Sequence, residues 1–235
     1  MILNVVNRSI ENHELGGYFI WKQMDARADN GNDGTLYTIG LRGAGTCGDR
    51  WTYRTEMAAQ TGHKNANRLC AFGTNNRLTY KFNDPLKSEV RVAYEFLSGD
   101  QNATHGKDEG FDILWGRWPQ FSELYAYSAA AENRLADATN VHRLGFGWSF
   151  HPHAKLDVCT DYHLLWANHN PLGGATGFSG DGMFRGQIVT LLLRYAFTEQ
   201  IKGHLVGEAF FPGNYYDNTR NDPAVFARYE ITFAW

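Results

Sequence analysis

Charged side chains recur two residues apart, or multiples of two, along several extended stretches. Arg54 and Glu56, Arg91 and Glu95, Arg143, Asp157 and Asp161, Arg185, and Arg228 with Glu230 form this set. A spacing of two places such charges on one face of a strand. Where that face meets enclosed water, rings of Arg favour anions and rings of Asp or Glu favour cations. The same residues can instead pair between neighbouring strands and stiffen the wall. A second group stands in one loop: Trp115, Arg117, Trp118, Pro119, Phe121 and Tyr125. So many large aromatics do not lie free in solvent. The loop is expected either to fold inward, narrowing an enclosed space, or to pack over a rim. Aromatic faces beside a guanidinium also suit sugar rings and carboxylates.

Conventional catalytic constellations do not assemble. Asp157, Asp161 and His163 share a strand face, but at about 3.3 Å per residue Asp157 and His163 lie roughly 20 Å apart, too far to act as a unit. Gly43-Ala-Gly45-Thr-Cys-Gly48 spells a dinucleotide fingerprint. That motif requires a helix after it, whereas an alternating stretch begins at Trp51, so the segment reads as a turn. The clusters Asn30 to Gly34 and Ser179 to Gly182 match no calcium-loop spacing and read as solvated tips. Cys47, Cys70 and Cys159 are odd in number and far apart, forming neither a disulfide framework nor a zinc pattern. No catalytic residue, metal or cofactor is expected.

The elements carrying these residues are strands. From Pro223 to Trp235, Val225, Ala227, Tyr229, Ile231, Phe233 and Trp235 fall on one face, with Arg228, Glu230 and Thr232 on the other. Trp51, Tyr53, Thr55, Met57 and Ala59 alternate with Thr52, Arg54, Glu56 and Gln60. Leu78, Tyr80 and Phe82 oppose Arg77, Thr79 and Lys81, while Val90, Val92, Tyr94 and Phe96 oppose Glu89, Arg91 and Glu95. Leu144, Phe146, Trp148 and Phe150 oppose Arg143, Gly145, Gly147 and Ser149, and His151-Pro152-His153 reads as a turn. Leu156, Val158, Tyr162 and Leu164 oppose Asp157, Asp161 and His163. An apolar, aromatic-rich face running to a terminal Trp suits a strand whose outer side meets lipid rather than a protein core.

About eleven such segments can be drawn, and their connections alternate in length. Counting back from the end they run long (212–222), short (198–200), long (167–182), short (151–153), long (about 100–140) and short (83–87). Barrels of the bacterial outer membrane have this asymmetry, with short periplasmic turns and long outer loops. The parity holds if the whole of 99–139 stays outside or folds inward; a strand at Glu123 to Ala131 is the alternative. The expected fold is therefore all-β, an antiparallel transmembrane β-barrel of outer-membrane type, with residues 1–235 forming one domain. An odd strand count, set against the even number usual in single-chain bacterial barrels, leads us to expect an N-terminally truncated barrel of roughly 16–18 strands. Met1 to Ser9 shows no signal-peptide pattern, consistent with a mature or truncated chain.

Composition agrees. The chain has 235 residues, 43% hydrophobic and 20% charged, with 14% aromatics and 25 glycines. Its longest apolar stretch, Ile188 to Phe197, is broken by Thr190 and Arg194, short of the ~18 residues a membrane helix needs. Only a closed barrel could then cross a bilayer. A net charge of -3 argues against a nucleic-acid-binding face.

Trp118-Pro-Gln-Phe-Ser-Glu-Leu-Tyr125 resembles the alginate-export family of outer-membrane porins. Phe111-Asp-Ile-Leu-Trp-Gly-Arg117, Asp161-Tyr-His-Leu-Leu-Trp166, Phe184-Arg-Gly-Gln187, Phe211-Pro-Gly213 and Asn221-Asp-Pro-Ala224 extend the resemblance over roughly residues 70–235. It implies a larger barrel in the bacterial outer membrane and passive passage of small polar or anionic, saccharide-like solutes through a channel rather than an enzymatic activity. The partners expected are outer-membrane lipid, such solutes, and the barrel-assembly machinery acting on the strand that ends in Trp235. An outer-membrane barrel enzyme and a soluble β-sheet saccharide-binding protein are the competing classes.

Overall fold

Period-two alternation carries the chain through long antiparallel strands in the computed structural model, which describes residues 1–28, 31–101, 106–116, 121–125 and 139–235. The strands are β1 (Ile2–Asn7), β2 (His13–Met24), β3 (Gly34–Cys47), β4 (Trp51–Lys64), β5 (Asn67–Lys81) and β6 (Glu89–Leu97), then β7 (Lys107–Asp108) and β8 (Val141–His153). After them come β9 (Leu156–Ala167), β10 (Phe184–Ala196), β11 (Ile201–Pro212) and β12 (Ala224–Phe233). Each pairs with the next in one sheet, except that β6 pairs with β8 while short β7 runs parallel to β5. Among the described residues no pairing joins β1 to β12, so the sheet has two edges. The expected all-β antiparallel architecture is the one observed.

One face of this sheet is apolar and uncovered. Ile39 and Leu41 of β3 are 63% and 60% exposed, and Met57, Phe72, Val92, Phe146, Leu191 and Leu205 continue the band. Val225 and Tyr229 on β12 are 81% and 80% exposed, and Ile231 and Phe233 are exposed beside them. A soluble domain does not leave a whole sheet face of this kind in water, whereas lipid makes it favourable. At the short-turn end, aromatic pairs line up: Trp51 with Tyr80 at 4.7 Å, Trp148 with Phe150 at 4.2 Å and Tyr195 with Phe197 at 4.9 Å between ring centres. They form the girdle expected at a membrane interface.

Connections at this end are short: 8–12, 48–50, 82–88, 154–155 and 197–200. At the other end lie 25–33, 98–140, 168–183 and 213–223, with one exception. Asn65 and Ala66 join β4 to β5 directly, both with positive φ (50° and 68°), the signature of a two-residue I′ hairpin.

Two expectations about local structure change. Gly43 to Cys47 continues β3 rather than turning, and the turn is confined to 48–50. His151 to His153 belongs to β8, with a register shift after Phe150, and the hairpin turn is Ala154-Lys155. Glycine in β3 serves close packing. A Cβ on Gly40 would sit 2.1 Å from the Tyr18 ring, so Tyr18 can lie flat across the strand.

The opposite, inner face carries what core there is. Met24, Leu36, Leu69 and Ala71 are buried beneath Phe111 and Leu114. Val141, Leu165, Ile188 and Phe210 are buried with Leu124, Tyr125, Phe178 and Tyr215. Both clusters form because connections from the long-loop end fold back onto the inner face.

Candidate functional site

The register shows where each charged residue stands. Arg54 and Glu56 of β4, Arg91 and Glu95 of β6, Arg143 of β8 and Asp157 and Asp161 of β9 alternate with exposed apolar neighbours and share the inner face. Arg228 and Glu230 of β12 join them, opposite Val206 and His204 of β11. Arg185 reaches this face by another route. Strict alternation along β10 sends it outward with Gln187 and Val189, but a bulge between Phe184 and Gly186 turns it inward. Gly186 at φ 135° accommodates the bulge, because a Cβ there would meet the Phe211 carbonyl at 2.3 Å.

Several charges are paired. Arg91 donates to both Asp161 oxygens, at 3.0 and 2.6 Å, and Arg143 Nε donates to Glu95 at 2.8 Å. Arg228 forks onto Glu123 at 2.8 and 2.5 Å and also donates to Glu230 at 2.7 Å. Glu56 accepts from the Tyr18 hydroxyl at 2.6 Å. Asp157 contacts His151 at 2.5 Å near the short-turn end. His163 lies deeper along β9, near Arg143 and edge-on to Phe121. The structure therefore does not bring Asp157 and His163 together.

Arg54 stands apart. Its direct partner across β4 and β5 is Arg77, and both guanidiniums are exposed on the inner face. No carboxylate pairs with either among the described residues. Like charges directly opposite one another are unfavourable, so this spot is locally electropositive. Among the described residues no cluster of His, Cys, Asp or Glu could hold a metal ion.

The aromatic loop docks inward at two places. Asp112 lies between Lys22 Nζ at 3.5 Å and Lys64 Nζ at 3.4 Å. Its backbone exchanges two 2.7 Å hydrogen bonds with the Gln60 side chain, and Lys22 also donates to the Leu114 carbonyl at 3.1 Å. This fixes 107–116 over β2 to β5. Farther on, buried Glu208 of β11 accepts from Ser122 Oγ at 2.6 Å, from Leu124 N at 2.8 Å and from Glu123 N at 3.2 Å. The carboxylate caps the helical turn at 123–125 as an N-cap side chain would. Tyr125 is buried, and its hydroxyl accepts from Arg185 at 2.9 Å. Arg143 stacks over Phe121 at 4.7 Å. Trp115 is exposed, while Arg117 and Trp118 lie outside the described residues. The inner face is thus narrowed from two sides by one connection.

Pattern reading alone did not single out Arg77, Lys22, Gln60, Asp112, Glu123 or Glu208. Arg77 carried a signal, since it faces the same way as Arg54 in the adjacent strand. The pairing of Ser122 with Glu208 carried none, because the two are 86 residues apart in sequence and only the register brings them together.

Comparison with known proteins agrees with this geometry. The profile of a family described as alginate export matches residues 3–228. No curated protein matches the sequence. Among solved structures, Pseudomonas aeruginosa OccK5 (OpdH) superposes with a TM-score of 0.58 at 12% identity, over 100% of this chain and 58% of that one. Pseudomonas aeruginosa OccK11 (OpdR) gives a TM-score of 0.60 at 12% identity, over 98% and 56%. The chain thus spans little more than half of either structure, and at this identity the likeness is one of fold. A sheet with a lipid-facing exterior and a charged, loop-narrowed interior, matched by the family profile along almost its whole length, identifies the chain as a member of the alginate export family of outer-membrane, porin-like barrels.

Proposed function

We propose that the inner face lines a path for passive diffusion of small polar and anionic solutes, saccharides among them. The observation that carries this reading is the Arg54–Arg77 pair: two exposed guanidiniums directly opposed across β4 and β5, with no carboxylate on either among the described residues. An anion passing this point finds a fork on each side, and a forked guanidinium binds carboxylates bidentately. The paired charges around them, Arg91 with Asp161 and Arg143 with Glu95, keep the wall polar and stiff without adding net attraction. The inward connection supplies the narrowing that makes such a filter effective.

Unpaired backbone edges are not tolerated in hydrocarbon, so further strands adjoining β1 and β12 would complete a single barrel domain. The apolar outer face of β12, which leads toward Trp235, suits contact with the barrel-assembly machinery.

Uptake into proteoliposomes separates the solute classes. Glucuronate is expected to enter faster than glucose, and Arg54→Ala with Arg77→Ala is expected to remove that preference while leaving glucose entry. Equal entry of both sugars into wild-type vesicles contradicts the anionic part of the reading.

A further inference from the structure

Arg194 of β10 lacks the partner that its register provides. On the inner face it stands directly between Asp157 of β9 and His204 of β11. A carboxylate and a guanidinium opposed in this way can close into a pair, as Glu95 and Arg143 do across β6 and β8. Here Asp157 is turned instead to His151 Nδ1 at 2.5 Å, and His204 Nε2 lies 3.8 Å from Glu230. Among the described residues no carboxylate pairs with Arg194. None pairs with Lys202 either, which lies two residues before His204 on β11 and directly opposite Thr232 of β12.

These groups surround a cavity of about 270 Å³ at the short-turn end of the inner face. Lys155, Arg194 and Lys202 line it as cations and Asp157 as a carboxylate, with His204 and Thr232 beside them. Lys155 is tethered, its Nζ donating to the Phe197 carbonyl at 3.1 Å. Three cations against one carboxylate leave a surplus of two positive charges. Arg194 and Lys202 are diagonal neighbours on adjacent strands, a placement that sets side chains about 7–8 Å apart at their base, so both heads can reach one small anion.

We propose that this cavity binds a doubly charged oxyanion, the phosphate group of a small solute. Charge and donor geometry both select it over a carboxylate. A carboxylate brings one charge and two oxygens, which the fork of Arg194 satisfies alone. A phosphate monoester brings close to two charges and three acceptor oxygens. The guanidinium then takes two of them, and the Lys202 ammonium and the Thr232 hydroxyl are the donors for the third. The volume lies just below that of pockets enclosing a drug-sized ligand, so it admits a phosphate with a small body attached. Asp157 tempers the field, and because His151 holds it, it does not occupy the fork. Three strands, β6, β8 and β9, separate the site from the Arg54–Arg77 pair. Binding at equilibrium requires no conducting path, so this site and the diffusion reading are tested separately.

The test is isothermal titration of the full chain in detergent micelles, at a pH where inorganic phosphate is mainly dianionic. The probes are inorganic phosphate, acetate, glucose 6-phosphate and glucose. Phosphate saturates a single site, and acetate binds about tenfold more weakly or less, as expected when a charge-assisted contact is missing. Glucose 6-phosphate binds within a few-fold of phosphate and glucose does not bind. Arg194→Met weakens phosphate binding by about tenfold or more and Lys202→Met by several-fold, while Asp157→Asn, which removes the opposing charge, strengthens it. A chain that binds phosphate but passes no current keeps the site and contradicts the diffusion reading; one that conducts but does not bind phosphate does the reverse. Phosphate affinity equal to that for acetate, or indifferent to Arg194→Met, overturns the proposal, and glucose 6-phosphate that fails to bind overturns the assignment to a solute's phosphate group. Should Arg194→Met fail to fold, Lys202→Met and Asp157→Asn decide, and an affinity unchanged in both overturns it.

Discussion

Arg91 grips Asp161 across Gly147, two strands away, with the glycine of the intervening strand serving as the gap through which the pair closes. A Cβ on Gly147 would lie 2.2 Å from Arg91 Nε and 2.4 Å from Asp161 Oδ1. Gly147→Val is therefore expected to split the pair and lower barrel stability by about 1–3 kcal/mol, read by urea unfolding in lipid. Asp161→Asn leaves Arg91 unbalanced beside Arg77, so the reversal potential in a salt gradient should move toward stronger anion preference. No movement in the Asn variant would mean that Asp161 does not face the permeating ions.

Glu208 governs the inward turn from β11. Glu208→Ala leaves the Ser122 hydroxyl and two backbone amides without their acceptor, at a cost of about 1–3 kcal/mol for the docked state. Amide exchange at Glu123 and Leu124 should quicken, and channel current should become noisier with a higher mean level. Unchanged protection at these amides would show that the turn is held by packing alone.

The two faces of one strand should answer oppositely to charge. Leu41 of β3 is 60% exposed yet faces lipid, so Leu41→Arg is expected to destabilise by about 2–4 kcal/mol if it sits near the bilayer midplane. Arg42, its neighbour, already points inward, where it donates to Asn4 at 3.3 Å. A soluble surface would accept arginine at position 41 with little change, so urea unfolding of Leu41→Arg in lipid discriminates the two settings.

Asp217 ties two of the long connections together. It accepts from Thr219 Oγ1 and N and from Gly177 N, and the Thr219 hydroxyl, followed by these backbone amides, holds its carboxyl below the usual carboxylate range. A depressed carboxylate contributes stability that is full above its unfolded value and lost as pH falls through the folded one. Acidification below the ordinary Asp range is therefore expected to loosen 213–223 from 168–183, and Asp217→Asn should reproduce this at neutral pH. Exchange rates at the Gly177 and Thr219 amides report it, and rates indifferent to both changes would exclude the link.

Much of the wall was legible because lipid and water sort side chains into two classes at every second position. Trp51 to Gln60 shows this most clearly, and its alternation assigned Arg54 and Glu56 to the inner face without any knowledge of partners. Where glycine intervened, the reading failed. Gly43 to Cys47 has turn composition but stays extended, because Gly45 backs onto His13, where a Cβ would meet the ring at 2.3 Å. Arg185 was named for the inner face, yet the bulge that brings it there breaks the very alternation on which faces are assigned. The docking of 107–116 and of 121–125 depends on Lys22, Gln60, Lys64 and Glu208, single polar residues on separate strands that converge only once the register is set.

The most direct measurement is single-channel recording of the full chain in planar bilayers under a potassium chloride gradient. Discrete conductance steps with a reversal potential on the anion side, shifted toward zero in Arg54→Ala, Arg77→Ala, are the predicted result. Protein that is folded and inserted but passes no current, or passes cations preferentially whatever stands at positions 54 and 77, would contradict it.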